Sequence, residues 1–171
     1  MLNNKLNNIT LQIYILLINI ANKYTIMRQI KYIFIHCTAT QSYKTIKDIR
    51  AIFERNGWRV GGYHYVISSD GTVYNEVAED KISNGVRGYN AIAINVAYIG
   101  GVTSYGLNKD TRTEAQKTAL RRLLLILRTK YPYAIIMGHR DIWGRHPNKW
   151  HKLCPCFDAM SEYSDILPML T

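Results

Sequence analysis

From residue 27 onward, segments typical of buried strands alternate with segments typical of amphipathic helices. Residues 30–37 and 91–100 are rich in apolar and β-branched side chains, the pattern of strands covered on both faces. Residues 63–68 and 72–76 are shorter strand candidates joined by a Ser-Asp-Gly turn, and residues 134–137 form the last one. This alternation predicts an α/β fold, a single domain with a central mixed β-sheet flanked by helices.

Two helices carry clear start signals. Thr45 with Asp48, and Thr113 with Gln116, have the spacing of capping boxes, in which the first and fourth residues bond each other's backbone. The second helix places four leucines on one face: Leu120, Leu123, Leu124 and Leu127. Both helices are therefore expected to pack an apolar face against the sheet.

The chain has 171 residues, which is long enough for one domain. A domain of this size buries roughly 70% of its extended surface, so it needs no disulfide framework to make a core. It carries 22 Lys+Arg against 12 Asp+Glu, a net charge of +10, and this excess predicts an anionic partner. Charge alone fits nucleic acid, a membrane surface or an anionic cell wall. Because no helix-turn-helix, finger or aromatic sheet motif is present, we expect no specific nucleic-acid partner.

Residues 1–26 differ from the rest and contain no Gly, Pro, Asp or Glu. Their apolar stretch, residues 11–21, is interrupted by Gln12 and Asn19 and is shorter than the roughly 20 residues that a membrane span needs. Three interpretations stay open: an over-called start with initiation at Met27, a weak signal or anchor, or an accessory helix. The folded domain is predicted to be residues 27–171, with no stable membrane insertion.

The three cysteines, Cys37, Cys154 and Cys156, do not form the even set of a disulfide-stapled fold. Cys154 and Cys156 are separated by a single proline and are too close to bridge each other comfortably. Metal ligation is the better explanation for at least one of them.

Two histidines are placed where an α/β sheet builds its sites. His36 comes at the end of one predicted strand and His139 directly after another. Two imidazoles and one thiolate form a three-ligand zinc set with a fourth position open, the arrangement of catalytic sites. Cys156 is the main rival to a ligand at Cys154. His146 and His151 lie in the same basic loop and are weaker rivals.

Several short motifs follow one another along the chain in a characteristic order. They are Ile35-His36-Cys37-Thr38-Ala39-Thr40, Gly57-Trp58, Gly62-Tyr63-His64-Tyr65, Asp70-Gly71-Thr72-Val73, Arg87-Gly88-Tyr89-Asn90, Gly100-Gly101, Thr111-Arg112-Thr113-Glu114-Ala115-Gln116, Gly138-His139-Arg140-Asp141 and Lys152-Leu153-Cys154-Pro155. Together they resemble the N-acetylmuramoyl-L-alanine amidases shared by bacteriophage amidase lysozymes and peptidoglycan recognition proteins. The resemblance covers residues 29–158 and leaves out residues 1–26.

The resemblance implies roles for individual residues. His36, His139 and Cys154 match the ligands of one Zn²⁺ ion at the edge of the sheet. Tyr63 matches a tyrosine that contacts the zinc-bound water, and Lys152 matches a basic residue facing the reacting carbonyl. Residue type alone would make Tyr63 a strand aromatic and Lys152 a solvated loop charge, so these two roles rest on the resemblance.

The strand pattern also places a third histidine. His64 neighbours Tyr63 and should point to the opposite face of its strand, where we expect it to be structural.

The implied activity is hydrolysis of the amide bond between N-acetylmuramic acid and L-alanine in peptidoglycan, by a lytic enzyme of phage or prophage origin. We expect a monomer that acts at the cell wall, on its periplasmic or extracellular side. The export route stays open, and one alternative is that the protein remains in the cytoplasm until lysis. Two alternatives are a non-catalytic peptidoglycan-binding module, which typically lacks the zinc cysteine, and a zinc endopeptidase of the stem peptide. Some phage relatives also bind a polymerase, so a regulatory partner stays open.

Overall fold

The computed structural model describes residues 28–168, so the predictions for residues 1–26 lie outside the described residues and stay predictions. Five strands form one sheet: β1 Tyr32–Cys37, β2 Tyr65–Ile67, β3 Val73–Asn75, β4 Ala93–Tyr98 and β5 Ile135–Gly138. Their order in space is β3-β2-β4-β1-β5. β3 runs antiparallel to β2 and the other pairings are parallel. The predicted mixed sheet is confirmed.

Within residues 28–168, three α-helices flank the sheet: α1 Ile46–Arg55, α2 Glu114–Lys130 and α3 Ala159–Glu162. Short 3₁₀ turns span Asn90–Ile92, His139–Trp143 and Pro147–Lys149. Both predicted capping boxes are present, because the hydroxyls of Thr45 and Thr113 accept hydrogen bonds from the backbone of Asp48 and Gln116. None of the helices within residues 28–168 is long and apolar enough to cross a membrane.

Four of the five strands are shorter than the sequence predicts, and β5 keeps its predicted length but lies one residue later. β4 begins at Ala93 rather than at residue 91, because the preceding residues close a 3₁₀ turn that bonds within itself. β2 begins at Tyr65 rather than at residue 63, although the His64 N–H still donates to the Asn95 carbonyl oxygen. The apolar sequence pattern continues beyond the last hydrogen bonds between the strands, so the pattern overestimates the length of these strands.

The two faces of β1 have different partners. Ile33 and Ile35 pack with the leucines of α2 in the main core, together with residues of α3. Phe34 and His36 point to the opposite face, because side chains alternate along a strand. That opposite face is covered in part by α1, whose Phe53 packs in a second cluster. His36 is therefore held on the α1 side of the sheet.

Candidate metal centre

The pairing of β1 with β5 brings two histidines together. Ile35 lies opposite Gly138 in this parallel pair, so the next residues, His36 and His139, come level at the carboxyl edge of the sheet. Their Nδ1 atoms are 3.2 Å apart. Both side chains are buried, with 1% and 9% of their surfaces exposed. Two residues separated by more than a hundred positions thus form one pair.

Cys154 reaches this pair from the loop that follows β5. Its Sγ lies 3.7 Å from Nδ1 of His36 and accepts a hydrogen bond from the backbone N–H of Cys37 at 3.2 Å. The loop approaches closely because position 138 is glycine: a Cβ there would lie 2.5 Å from Cδ of Pro155. Gly138 therefore allows Pro155, and with it Cys154, to pack against the end of β5.

The three side chains have the spacing of a tetrahedral zinc site. Zn–N bonds of about 2.05 Å and a Zn–S bond of about 2.3 Å put tetrahedral ligands about 3.3 Å (N to N) and about 3.6 Å (N to S) apart. The observed separations are 3.2 Å between the Nδ1 atoms and 3.7 Å from Nδ1 of His36 to Sγ. The candidate ligand atoms of His36, His139 and Cys154 all lie within 4.8 Å of one another. The donor types suit zinc, and the two separations from Nδ1 of His36 are compatible with a tetrahedral site.

The rival ligands lie elsewhere. Sγ of Cys156 is 3.8 Å from Sγ of Cys37 and 3.5 Å from the carbonyl oxygen of Gly101. His146 and His151 are exposed in the loop between β5 and α3. Within residues 28–168, these side chains do not join the group formed by the two buried imidazoles and Cys154. The geometry therefore favours Cys154 over its neighbours.

Burial keeps both imidazoles neutral. It lowers the pKa of His36 to about 4; the hydrogen bond that His36 donates to Asn95 opposes this shift and the charge of Lys152 adds to it. Burial likewise lowers the pKa of His139 to about 3, helped by the charges of His36 and Lys152. A neutral imidazole has a free lone pair, which a metal ion requires. Both histidines are thus ready to bind a metal ion at neutral pH.

The candidate metal-ligand group, which is His36, His139 and Cys154, opens into a cavity of about 510 Å³ that also holds Tyr63 and Lys152. The Tyr63 ring lies 5.0 Å from the His36 ring, centroid to centroid, and packs edge-on against Phe53. Burial raises the pKa of Tyr63 well above its usual range, with Cys154 and Cys37 adding to the shift. The Tyr63 phenol is therefore protonated at neutral pH and is able to donate a hydrogen bond. Lys152 is exposed at the cavity rim.

The family model Amidase_2, described as N-acetylmuramoyl-L-alanine amidase, matches residues 26–156. The chain belongs to this amidase family. It is 34% identical over 138 residues to an endolysin of Klebsiella phage KP32, covering 80% of this chain and 87% of that protein. It is 28% identical over 126 residues to a peptidoglycan-recognition protein of Drosophila melanogaster, covering 67% of this chain and 65% of that protein.

A solved structure shares the fold. N-acetylmuramoyl-L-alanine amidase LysC from Clostridium intestinale URNW superposes with a TM-score of 0.64 at 27% identity, over 81% of this chain and 83% of that chain. The predicted membership in the amidase family of phage endolysins and peptidoglycan recognition proteins is confirmed by these comparisons.

Asn95 lies directly behind the candidate metal-ligand group and is not among the residues that the sequence predicts for the site. Its side chain is fully buried, and its Oδ1 lies 3.0 Å from Nε2 of His36. The sequence does carry one signal for it, because an asparagine interrupts an otherwise apolar strand. A buried polar residue is more informative than the apolar residues around it.

The two tryptophans of the final loop have different surroundings in this amidase. Trp143 stacks on His139, with ring centroids 5.6 Å apart, and lines the cavity. Trp150 lies beneath the guanidinium of Arg140, at 4.0 Å, and donates its indole N–H to the carbonyl oxygen of Gly144. Trp143 is therefore placed to touch a ligand, whereas Trp150 holds the loop together.

Proposed function

We propose that this chain is a zinc-dependent N-acetylmuramoyl-L-alanine amidase that hydrolyses the bond between N-acetylmuramic acid and L-alanine in peptidoglycan. The observation that carries the proposal is the convergence of His36, His139 and Cys154 on the floor of an open cavity. The similarity to a phage endolysin supports a lytic role at the bacterial cell wall for a phage or prophage product.

The three ligand residues would hold the ion with their neutral imidazoles and thiolate. When bound there, zinc supplies a Lewis acid that polarises the amide carbonyl and makes water a stronger acid. Tyr63 donates a hydrogen bond from its phenol, and this donor orients the attacking oxygen. Lys152 places its ammonium group beside the negative charge that develops on the carbonyl oxygen. A preorganised donor of this kind is typically worth about 3 kcal/mol in the transition state.

The cavity walls suit a glycopeptide. Trp58 and Trp143 offer flat apolar faces of the kind that pack against sugar rings or a peptide backbone. Arg87 and Lys152 bring positive charge to the same cavity, which complements the carboxylates of a stem peptide. The net charge of +10 favours approach to an anionic wall. The substrate class therefore matches the cavity as well as the family.

A non-catalytic peptidoglycan-binding module is the second candidate, since peptidoglycan-recognition proteins are among the relatives. Cys154 argues against it, because a module that only binds has no need of a thiol in contact range of two buried imidazoles. A zinc endopeptidase of the stem peptide would use the same ligands and would differ in its products.

The test is product analysis on purified peptidoglycan by mass spectrometry, with and without a chelator. An amidase releases free stem peptides that begin with L-alanine, and zinc restores the activity that the chelator removes. His139→Ala, Cys154→Ala and Lys152→Ala should each abolish release of new amino termini, whereas His146→Ala, on the exposed loop, should not. New termini within the stem would identify an endopeptidase. Binding without products, or full activity in all three variants, would refute the proposal.

A further inference from the structure

Behind the metal-ligand group lies a chain of buried polar side chains that the proposed mechanism does not use. Asn95 forms hydrogen bonds with three neighbours. Its side-chain Oδ1 lies 3.0 Å from Nε2 of His36, and its Nδ2 lies 2.9 Å from Oγ of Ser83. Its backbone N–H donates to Nδ1 of His64 at 2.9 Å. Oγ of Ser83 is 3.0 Å from the same Nδ1. These four side chains are each at most 1% exposed.

One fixed donor sets the direction of every bond in this chain. A backbone N–H can only donate, so Nδ1 of His64 is an acceptor and carries no proton. Nδ2 of Asn95 donates to Oγ of Ser83, so the hydroxyl keeps its own proton to share the single lone pair of Nδ1 of His64 with the backbone N–H. The group of Asn95 that faces Ser83 is therefore its NH₂, and the group that faces His36 is its carbonyl oxygen.

The orientation of the Asn95 amide in turn fixes the proton of His36. An oxygen of Asn95 accepts, so Nε2 of His36 carries the N–H. A neutral imidazole has one N–H, so Nδ1 of His36 keeps its lone pair. That atom is the one that faces His139 and Cys154. The opposite tautomer would point a proton at the ion and could not bind it.

The second nitrogen of His64 has a partner of its own. Nε2 lies 3.1 Å from the carbonyl oxygen of Lys81, which accepts the N–H. Arg28 lies 3.1 Å from the same nitrogen, but its guanidinium donates to backbone carbonyl oxygens, including those of Glu79 and Ala93. These contacts place the proton of His64 on Nε2 and leave the Nδ1 lone pair to Asn95 and Ser83.

Space for Asn95 depends on a glycine. A Cβ at Gly85 would lie 2.2 Å from Cγ and 2.3 Å from Oδ1 of Asn95, far inside van der Waals contact. The glycine and the asparagine therefore fit each other. Asn95 occupies a place that a larger residue at position 85 would take away.

We propose that Asn95 is a positioning residue which, with Ser83 and His64, holds His36 in the tautomer that presents its Nδ1 lone pair to zinc. This inference rests on the proposed zinc site and adds residues that do not touch the ion or the substrate. Loss of such an outer partner typically weakens metal affinity by about 10- to 100-fold.

The experiment measures the histidine tautomers and zinc affinity separately. Long-range ¹H–¹⁵N spectra of the metal-free protein at pH 7 should show His36 protonated at Nε2. In Asn95→Leu, His36 should populate both tautomers, and the zinc dissociation constant, measured by competition with a chromogenic chelator, should rise about 10- to 100-fold. Asn95→Asp keeps an acceptor for the Nε2–H of His36 and loses the donor to Ser83, whose hydroxyl can turn to donate to the new carboxylate; this variant should restore the tautomer and an affinity within about tenfold of wild type.

Gln116→Leu is the matched control. Gln116 is also a fully buried amide, but it donates to the carbonyl oxygens of Ile67 and Ile99 and has no bond to the chain behind His36. Its loss should lower stability and leave the His36 tautomer and zinc affinity unchanged. An unchanged tautomer and affinity in Asn95→Leu, or equal shifts in both leucine variants, would overturn the inference.

Two further outcomes keep the test decisive. If Asn95→Leu does not fold, Ser83→Ala keeps the acceptor but removes the group that orients the amide, and a second set of His36 signals should appear; an unchanged spectrum contradicts the inference. If the wild-type protein binds no zinc, the proposed function fails, and the tautomer spectra of the metal-free protein still decide the role of Asn95.

Discussion

The depressed pKa values of His36 and His139 predict an unusually weak dependence of zinc affinity on pH. At an ordinary pKa of 6.5, protonation at pH 5 would weaken binding about 30-fold for each imidazole, or about 1,000-fold for both. With pKa values of about 4 and about 3, the two histidines together weaken it by less than about twofold. The sign follows from burial, which disfavours the charged imidazole and so leaves fewer protons for zinc to displace.

The thiol supplies the remaining dependence. A cysteine ligand binds zinc as a thiolate, so any proton that zinc displaces should come from the thiol and not from the imidazoles. Between pH 7 and pH 5 the two imidazoles should raise the zinc dissociation constant by less than about twofold, rather than by roughly 600-fold at ordinary pKa values. Chelator competition measures this constant, and calorimetry in two buffers of different ionisation enthalpy counts the protons released per zinc at pH 6.

A variant at Cys154 separates the contribution of the thiol to the pH dependence of zinc affinity from that of the imidazoles. Cys154→Asp replaces it with a carboxylate that is already ionised in this range, so its zinc affinity should be nearly flat between pH 5 and pH 7. Release of two or more protons by the wild-type protein, or a steep pH dependence in Cys154→Asp, would refute the assignment of neutral, buried imidazoles.

Three further predictions concern single residues. Cys156→Ser should keep one zinc per chain, whereas Cys154→Ser should lose it in metal analysis after dialysis; the reverse result would exchange the two assignments. Lys152→Met should lower kcat about 100-fold or more without changing the zinc content, and an unchanged kcat would remove Lys152 from the mechanism. Arg112→Met should lower the free energy of unfolding in urea by about 3 kcal/mol, because its side chain is 1% exposed and bonds two carboxylates; a change below about 1 kcal/mol would contradict this.

Much of the fold could be predicted because its signals are local. The capping boxes at Thr45 and Thr113 begin α1 and α2 where the sequence predicts them. The apolar runs around β1 and β4 identify buried strands, although a 3₁₀ turn takes the first residues of the β4 run. These features depend on side chains within a few positions of one another, and such short-range patterns can be recognised in a single sequence.

The choice between neighbouring candidates needed the tertiary structure. Cys154 and Cys156 have the same chemistry and differ by two positions in an irregular loop. Only the fold shows that one sulfur faces the imidazoles while the other faces Cys37. In the same way, burial against Phe53 and beside His36 raises the pKa of Tyr63 and keeps its phenol protonated, and burial is a property of the assembled chain.

The sequence by itself determined the residue types of the candidate site and their places at strand ends. His36 and His139 were identifiable from their places after strands, because an α/β sheet gathers the carboxyl ends of parallel strands at one edge, whereas Cys154, in a loop, was identifiable from the order of the motifs. The tertiary structure decided which buried residues contact these candidate ligands. Asn95 meets His36 only because β4 and β1 are neighbours in the sheet, and the space it fills depends on a glycine in a separate loop. Strand pairing brings together residues that are far apart in the chain, and their local sequences do not indicate which partner each will meet. For this physical reason the contact between Asn95 and His36 could not be predicted from the sequence.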